Sequence, residues 1–338
     1  MKVSMWYSNN DIRVEEVPTP SPGLGRMLVK VISCGICGSD IVEWYRLPRA
    51  PLVQGHEVGV EVVETGEGVR KYNKGDRLFI APKVPCLKCR QCLRGHYPQC
   101  NAVKDRLPGG FAEYILVPKE HVMSGSYLLP DNVTYDQATF IEPLACVIRA
   151  QRIASIEEGQ TLLVLGSGMS GLLHIKLAKY KQCKVIATDI NRHRLELAKS
   201  VGADLVAGAD SDILEQLISA NGGKADAVIV TTSAVSALKQ AWETVDMGGV
   251  VVLFTVPGPD QDVVVPINDF WRKEIRILTS YYCGPPDLEE ALQLITRGDI
   301  EVDDLITHRL PLKDTDKGFK MLLNGGRSLK IIIKPQEG

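Results

Sequence analysis

The sequence predicts a two-domain α/β protein in which a parallel sheet, covered by helices, is joined to a separate β-rich domain. Its 338 residues exceed what one hydrophobic core usually serves, so two domains are expected. The first 148 residues or so contain short strand-like runs separated by Pro and Gly. From about residue 149, apolar strands alternate with amphipathic helices, which is typical of a parallel sheet with both faces covered.

The elements follow in chain order. The strands predicted in the first segment are 27–32, 57–64 and 77–82. Those of the second segment are 161–165, 184–189, 203–208, 225–232, 250–256 and 275–282, with helices at 170–181, 192–202, 211–223 and 236–249. In the tail, an Asp start and a Gly stop predict a helix over 287–298, and 328–334 reads as a buried strand. Because we place this tail on the first domain, the predicted domains are 1–148 with 284–338, and 149–283.

Composition excludes several classes of function. A formal net charge of −2 with 24% charged residues gives no electrostatic argument for nucleic acid or membrane partners. No apolar run is long enough to span a bilayer, and the first residues lack the apolar stretch of a signal peptide, so we expect a cytoplasmic protein. Nine cysteines in such a protein indicate metal or catalytic sites before disulfides.

A dinucleotide site is predicted where a strand meets a helix. The segment VLGSGMSGLLHI carries the G-x-G-x-x-G spacing at Gly166, Gly168 and Gly171. Asp189 stands at the end of the next strand, where it can accept hydrogen bonds from the adenosine ribose and repel a 2′-phosphate. NAD is therefore favoured over NADP, although Arg192 and Arg194 follow closely. The alternatives are a Gly-rich turn without a cofactor and, for Asp189, a helix N-cap.

Four cysteines within fifteen residues predict a structural metal site. They are Cys86, Cys89, Cys92 and Cys100, in the pattern C-x2-C-x2-C-x7-C. Four thiolates can close a tetrahedron around zinc and leave no open position. An iron–sulfur cluster is the competing interpretation, but nothing else in the sequence suggests electron transfer. His96, inside this loop, is interpreted as a surface residue.

A second set of potential ligands is spread along the chain. A thiolate, an imidazole and carboxylates could form an open zinc site with room for water or substrate. The candidates are Cys37, His56, Glu57 and Glu142, with Ser39 beside Cys37. Each also has an ordinary interpretation: a small buried cysteine, a loop histidine, a surface charge or the partner of an arginine. Spacing alone does not decide between these two interpretations.

Together these features resemble the zinc-containing medium-chain dehydrogenase/reductase family, and within it the polyol (sorbitol, L-iditol) and L-threonine dehydrogenase branch. The resemblance covers nearly the whole chain. Besides the cysteine lobe and the glycine-rich turn, it rests on GICGSD, GHEVGVEVVETGEGV followed by GDR, GGFAEY, IEPLAC and LITHRLPL. It implies a GroES-like β-barrel catalytic domain made from both chain ends, with a Rossmann domain between them.

The resemblance also implies residue roles. Cys37 and His56 match ligands of a catalytic zinc, and Glu57 and Glu142 match acidic positions that bind zinc or hold its water; Cys34 matches strand-end packing. Contacts to NAD are implied for the glycine-rich turn and for Ser170, Asp189, Arg194, Phe254, Thr255, Val256, Leu278, Thr279 and Ser280. One catalytic and one structural zinc per chain, and a homotetramer or homodimer, are implied as well.

The activity implied is the NAD-dependent oxidation of a secondary alcohol or polyol to a ketone, with Ser39 passing the alcohol proton outward. Many relatives carry a histidine relay five residues after the zinc cysteine, where this chain has Val42. This departure argues against the alternative of an L-threonine 3-dehydrogenase. A zinc-free reductase of the same superfamily and a non-catalytic dinucleotide-binding protein with one structural zinc are further alternatives. Arg46 and Arg49 are interpreted as solvated, with binding of an anionic substrate as the alternative.

Overall fold

The computed structural model describes residues 1–103 and 105–337. These form two compact units, one made of Met1–Ala145 and Cys283–Gly338, the other of Cys146–Tyr282. The predicted boundary at 148/149 lies three residues beyond the first of these limits, within one helix. Among the described residues, none of the helices combines the length and the apolar character that crossing a bilayer would need.

In the N-terminal part of the first unit, the regular secondary structure is mainly strand. Its strands are β1 (Lys2–Ser8), β2 (Asp11–Glu16), β3 (Met27–Gly35), β4 (Leu52–Val53), β5 (Glu57–Thr65), β6 (Arg77–Ile80), β7 (Tyr114–Val117) and β8 (Ser126–Leu128). The helices are short, apart from the last, which contains the unit boundary: α1 (Glu43–Arg46), α2 (Arg90–Leu93), α3 (Lys119–Ser124), α4 (Tyr135–Ala138) and α5 (Ile141–Ile153).

The second unit alternates strands and helices, as predicted. Its strands are β9 (Thr161–Leu165), β10 (Lys184–Asp189), β11 (Leu205–Gly208), β12 (Ala225–Val230), β13 (Val245–Leu253) and β14 (Arg276–Thr279). Between them lie α6 (Met169–Tyr180), α7 (Arg192–Ser200), α8 (Ile213–Asn221), α9 (Val235–Thr244) and α10 (Ile267–Lys273). The chain then returns to the first unit with α11 (Pro285–Arg297), β15 (Ile306–Pro311), α12 (Thr315–Leu323) and β16 (Lys330–Lys334).

The predicted parallel sheet is confirmed, with strand order β11-β10-β9-β12-β13-β14. Each of its neighbouring pairs is parallel. β9 is fully buried along its length, which explains its continuous apolar sequence. The strand order reverses between β9 and β12, and such a switch point opens a crevice at the carboxyl ends of the strands.

The predicted helix over 236–249 is wrong in its last third. Helix α9 ends at Thr244, and the chain continues directly as strand β13. Val245 pairs with Ala225 of β12, and Gly248 adopts a φ of +72°, which helical residues do not. The pairing with β12 therefore overrides the helical pattern of the sequence.

In the first unit, the C-terminal segment completes the main sheet. The order is β15-β16-β3-β5-β6-β8, and β7 pairs with β3 on a separate branch. β16 runs antiparallel to β3, with Ile332 opposite Gly35. Residues from both chain ends also share one hydrophobic core, in which the rings of Phe111 and Phe319 meet edge to face. The two ends of the chain are thus parts of one folding unit.

Candidate metal centres and coenzyme site

The four-cysteine lobe has the geometry of a site for a single tetrahedral ion. The sulfur of Cys89 lies 3.4 Å from that of Cys92 and 3.9 Å from that of Cys100, and the Cys86 and Cys92 sulfurs are 4.0 Å apart. Four sulfurs about 2.3 Å from one zinc ion would be separated by roughly 3.8 Å. The sulfurs are therefore close enough together for one ion, without the wider spacing that a cluster of several irons requires.

Backbone N–H groups support the thiolates of this lobe. The amides of Cys86 and Cys89 donate to the sulfurs of Cys100 and Cys86, each over 3.3 Å. Burial opposes ionisation of Cys100, but the amides of Cys86 and Ala102 lower the pKa of its thiol to about 6. Cys92 lies in the short helix α2, which begins directly after Cys89 and is followed by a turn at Gly95. These contacts prepare the lobe for a cation, because the thiolate is the form that binds metal.

The second predicted set converges at the end of β3 and the start of β5. The ligand atoms of Cys37, His56 and Glu57 all lie within 4.8 Å of one another. Cys34, only three residues before Cys37, lies in strand β3 and in the hydrophobic core. A Cβ atom on Gly55 would sit 2.6 Å from the Cys34 sulfur, so this cysteine is packed against backbone. Of the two cysteines, Cys37 alone belongs to the cluster.

Asp40 contacts two members of this cluster, His56 and Cys37, and so orients both. Its Oδ1 is 3.3 Å from Nδ1 of His56, which leaves Nε2 as the nitrogen available for a metal. Its Oδ2 accepts a hydrogen bond of 3.0 Å from the amide of Cys37. The side chain of Asp40 is fully buried. Sequence reasoning did not assign Asp40, although the signal was present in GICGSD.

The charges within this cluster shift its titration. Burial and the Glu57 carboxylate raise the pKa of the Cys37 thiol, although His56 opposes them. Burial would lower the pKa of His56, but the charges of Asp40 and Cys37 raise it well above its usual value. A metal needs a thiolate and a neutral imidazole, so metal binding here would release protons. The donor set of sulfur, nitrogen and oxygen suits zinc, with fewer than four side chains in this group of ligand atoms.

Glu57 is also held by a buried cation that the sequence did not reveal. Nζ of Lys330, from β16, donates to Oε2 of Glu57 over 2.6 Å and to the carbonyl of Thr139 over 2.9 Å. The same ammonium lies 4.7 Å from the centre of the Phe140 ring. Both charged side chains are at most 3% exposed. The carboxylate of this ligand cluster is thus fixed by β16, the last strand in the chain.

Glu142 is buried and lies in the first turn of α5. It does not belong to the 4.8 Å group of Cys37, His56 and Glu57. Its role as a ligand or as a partner of bound water therefore stays a prediction.

The interpretation of Arg46 as solvated is wrong. Its side chain is 13% exposed and pairs with the buried Asp40. The guanidinium also donates to the carbonyl and the hydroxyl of Ser39. Arg49, in contrast, is exposed and donates to the carbonyl of Tyr45. A sequence does not distinguish these two arginines, because the short helix α1 alone decides which of them turns inward.

The glycine-rich turn in the second unit has the geometry that close approach of a pyrophosphate requires. Gly166 directly follows β9 and adopts a φ of +97°, which favours glycine. A Cβ atom on Gly171 would lie 2.0 Å from the carbonyl oxygen of Gly166. Gly168 precedes helix α6, whose N-terminal amides can face an anion. Thr231, which sequence reasoning missed, donates through its hydroxyl to the carbonyl of Gly166 over 2.7 Å.

The other predicted coenzyme contacts lie at the same edge of this sheet. Asp189 ends β10, and its two carboxylate oxygens accept from the amides of Ser167 and Asn191, each over 2.8 Å. Arg194 approaches the same carboxylate to 4.0 Å. The remaining residues lie at or just after the carboxyl ends of three strands. Ser170 follows β9, Phe254, Thr255 and Val256 follow β13, and Leu278, Thr279 and Ser280 lie at the end of β14. Parallel strands bring all of these positions to one crevice.

A dinucleotide crevice in one unit, and a thiolate–imidazole–carboxylate cluster in the other, define the class of zinc-dependent oxidoreductases. Family models match both parts: "Alcohol dehydrogenase GroES-like domain" at residues 23–131 and "Zinc-binding dehydrogenase" at residues 171–297. A sorbitol dehydrogenase of Bombyx mori is 32% identical, with 98% of this chain and 97% of that protein covered.

Two further relatives extend this comparison. An (R,R)-butanediol dehydrogenase of Bacillus subtilis (strain 168) is 29% identical over 99% of this chain and all of that protein. A zinc-binding dehydrogenase structure from Sinorhizobium meliloti 1021, bound to NADP, superposes with a TM-score of 0.88 at 30% identity and 99% coverage of both chains. The chain belongs to the zinc-containing medium-chain dehydrogenase/reductase family, and its fold is the GroES-like and Rossmann pair. It is a zinc-dependent oxidoreductase of the alcohol and polyol dehydrogenase type.

Proposed function

We propose that this enzyme oxidises a secondary alcohol or polyol to a ketone with NAD as the hydride acceptor. The observation that carries the proposal is the cluster of Cys37, His56 and Glu57, whose ligand atoms lie within 4.8 Å of one another. The relatives described above include sorbitol and butanediol dehydrogenases, whose substrates carry secondary hydroxyl groups. They give no support to the L-threonine 3-dehydrogenase alternative.

The residues of the first unit would bind the catalytic zinc and transfer the proton of the alcohol. Cys37 and His56 would hold the catalytic zinc, with Glu57 or Glu142 as its carboxylate, and bound zinc supplies a Lewis acid that lowers the pKa of the substrate hydroxyl. The Ser39 hydroxyl lies 3.4 Å from the Cys37 sulfur, beside the position that the alcohol would take. The alcohol would lose a hydride to the coenzyme and a proton to solvent by way of the Ser39 hydroxyl, which accepts one proton as it passes its own outward, and so would become a ketone.

NAD is proposed over NADP because of Asp189. Its carboxylate is fixed by two backbone amides at the end of β10, where a 2′-phosphate would meet negative charge. Arg194, 4.0 Å away, is the residue that could soften this repulsion. Since one relative is bound to NADP, the choice needs a direct measurement with both coenzymes.

Further parts of the proposal concern stoichiometry and assembly. We propose two zinc ions per chain, the second held by Cys86, Cys89, Cys92 and Cys100, and a homotetramer or homodimer. The first unit would be the catalytic domain and the second would bind the coenzyme. The cytoplasmic location stays a prediction. The alternative is a non-catalytic protein with one structural zinc. Metal analysis distinguishes the two, because two zinc ions per chain would argue against this alternative and one would support it.

The test is the initial rate of NAD reduction by zinc-loaded protein across sorbitol and other polyols, simple secondary alcohols, L-threonine and phosphorylated sugars. We expect a polyol or secondary alcohol to be the best substrate, with NAD preferred over NADP. L-threonine as the best substrate would overturn the proposal. One zinc per chain and no turnover would support the non-catalytic alternative.

A further inference from the structure

Arg46 donates hydrogen bonds to the turn that follows Cys37. Its Nε donates to the carbonyl of Ser39 over 3.0 Å. Its Nη2 donates to the hydroxyl of Ser39 over 3.0 Å and to Oδ1 of Asp40 over 2.9 Å. One planar guanidinium therefore joins backbone, hydroxyl and carboxylate within two consecutive residues, a geometry that a lysine cannot reproduce.

The contact with Asp40 reaches both ligand residues of the cluster. Asp40 is fully buried and bonds the amide of Cys37 with one oxygen, while its other oxygen faces His56. Arg46 keeps its positive charge under all relevant conditions, so it remains the counter-ion of this carboxylate.

The contact with Ser39 fixes the direction of its hydroxyl. A guanidinium only donates hydrogen bonds, so the Ser39 oxygen must be the acceptor of this one. The hydrogen of Ser39 must then point elsewhere, and the Cys37 sulfur lies 3.4 Å away. Val42, four residues before Arg46, caps the start of α1, and its carbonyl accepts from the Arg46 amide. Val42 has no polar side chain that could contact Ser39 or Asp40. Helix α1 brings Arg46 to this turn, where its guanidinium contacts both residues.

We propose that Arg46 is a positioning residue for alcohol oxidation, one that aligns the Ser39 hydroxyl directly and the His56 imidazole through Asp40. This inference rests on the proposed function, both for the reaction and for the catalytic zinc at Cys37 and His56. The guanidinium is engaged with protein groups, so it acts on the turn and does not serve as the docking group for an anionic substrate.

The test compares Arg46→Met and Arg46→Lys with Arg13→Met. Arg13 pairs with Asp11 through the same chemistry, but this pair lies on the exposed surface of the same unit. Three quantities are measured for each protein: kcat and KM for the best alcohol, the rate at which a chromogenic chelator removes the catalytic zinc, and the melting temperature. The chelator rate is independent of any substrate, so it keeps its meaning if no alcohol in the panel is turned over.

For Arg46→Met we expect kcat to fall by about 100-fold with KM within about threefold, the scale of a misplaced catalytic group. We expect zinc to leave about 10-fold to 100-fold faster, as when a hydrogen-bond partner of a ligand is lost. Arg46→Lys should recover part of both losses, and Arg13→Met should match the parent.

Several results would overturn this assignment. Loss of thermal stability with kcat and zinc release unchanged would make Arg46 merely structural. A raised KM with kcat unchanged would make it a substrate-binding group. If Arg46→Met does not fold, Arg46→Lys decides: parental kcat and zinc release in that variant would mean that the forked geometry is unnecessary. Failure of all alcohols with faster zinc release in Arg46→Met would refute the proposed substrate class while supporting the positioning role.

Discussion

Replacing Lys330 by methionine should destabilise the protein far more than the loss of an ordinary surface charge. The ammonium of Lys330 is buried, and its removal leaves the Glu57 carboxylate without its cation and the Thr139 carbonyl without its donor. Breaking a buried ion pair from one side costs about 3–5 kcal/mol, because a charge stays buried and unpaired. Lys330 belongs to the unit made of Met1–Ala145 and Cys283–Gly338, and at about 2–4 °C per kcal/mol for a domain of 150–250 residues the melting temperature of this unit should fall by roughly 6–20 °C.

The assay is urea and thermal unfolding at pH 7 of protein freed of zinc, parent and variants alike, because a bound ion would itself neutralise Glu57 and Glu57→Gln would remove one of its candidate ligands. Lys320→Met is the matched control, since Lys320 pairs with Asp316 on an exposed helix face and should cost less than about 1 kcal/mol. The double variant Lys330→Met with Glu57→Gln should be more stable than Lys330→Met alone, because no unpaired charge remains. A double variant as unstable as the single one, or a loss below about 1 kcal/mol for Lys330→Met, would refute the reasoning.

Three further outcomes are expected. Burial alone would raise the pKa of Asp136, but Ser33, Lys334 and Arg309 lower it, so its stabilising effect is present above the unfolded pKa of about 4 and is lost as pH falls through the folded pKa. Asp136→Asn should therefore lower the melting temperature at pH 7 and flatten its decline between pH 5 and pH 3, measured by scanning fluorimetry. Cys89→Ser should lose one zinc and melt earlier, whereas Cys37→Ser should lose turnover and keep NAD binding, measured by metal analysis and fluorescence titration. Gly171→Ala should weaken NAD binding by at least about 10-fold with metal content unchanged, because the added methyl group meets the Gly166 carbonyl 2.0 Å away.

The outcomes expected for Asp136, Cys37 and Gly171 each have a result that would contradict them. Equal acid sensitivity of Asp136→Asn and the parent would remove Asp136 as a source of pH dependence. Loss of NAD binding with retained turnover in Cys37→Ser would exclude Cys37 as a catalytic ligand. Parental NAD affinity in Gly171→Ala would show that the turn relaxes to accept a side chain, and Gly222→Ala, at a helix end with open space around it but a φ of +74°, controls for general destabilisation.

The parallel sheet could be predicted because strands that are buried on both faces have continuous apolar sequences. Strands β9 and β10 have the predicted limits of 161–165 and 184–189. The end of α9 could not be predicted in this way, since the pairing of Val245 with a distant strand decides it. Local patterns report burial and periodicity, but they do not report which strand is the neighbour.

The ligand residues of the cluster could be named from motifs, whereas the two buried cations near them, Lys330 and Arg46, could not. Cys37, His56 and Glu57 stand in short strings typical of the family. Lys330 lies 273 residues from its partner Glu57, in a strand whose three middle residues are isoleucines. Lysine and arginine are rarely buried, so composition alone assigns Lys330 and Arg46 to the surface. Lys330 is buried because a distant strand brings it opposite Glu57, and Arg46 is buried because helix α1 turns it toward Asp40, six residues away.

The pairing of Lys330 with Glu57 has a consequence for the order in which this protein matures. A ribosome that has just added Glu57 must add 273 more residues, the whole coenzyme-binding unit among them, before it reaches Lys330. At about 5–20 residues per second this takes on the order of tens of seconds. During that time the nascent chain presents Cys37, His56 and Glu57 without the strand that supplies Lys330. The cluster therefore reaches its finished geometry, the one in which it would take up an ion, only at the last stage of biosynthesis.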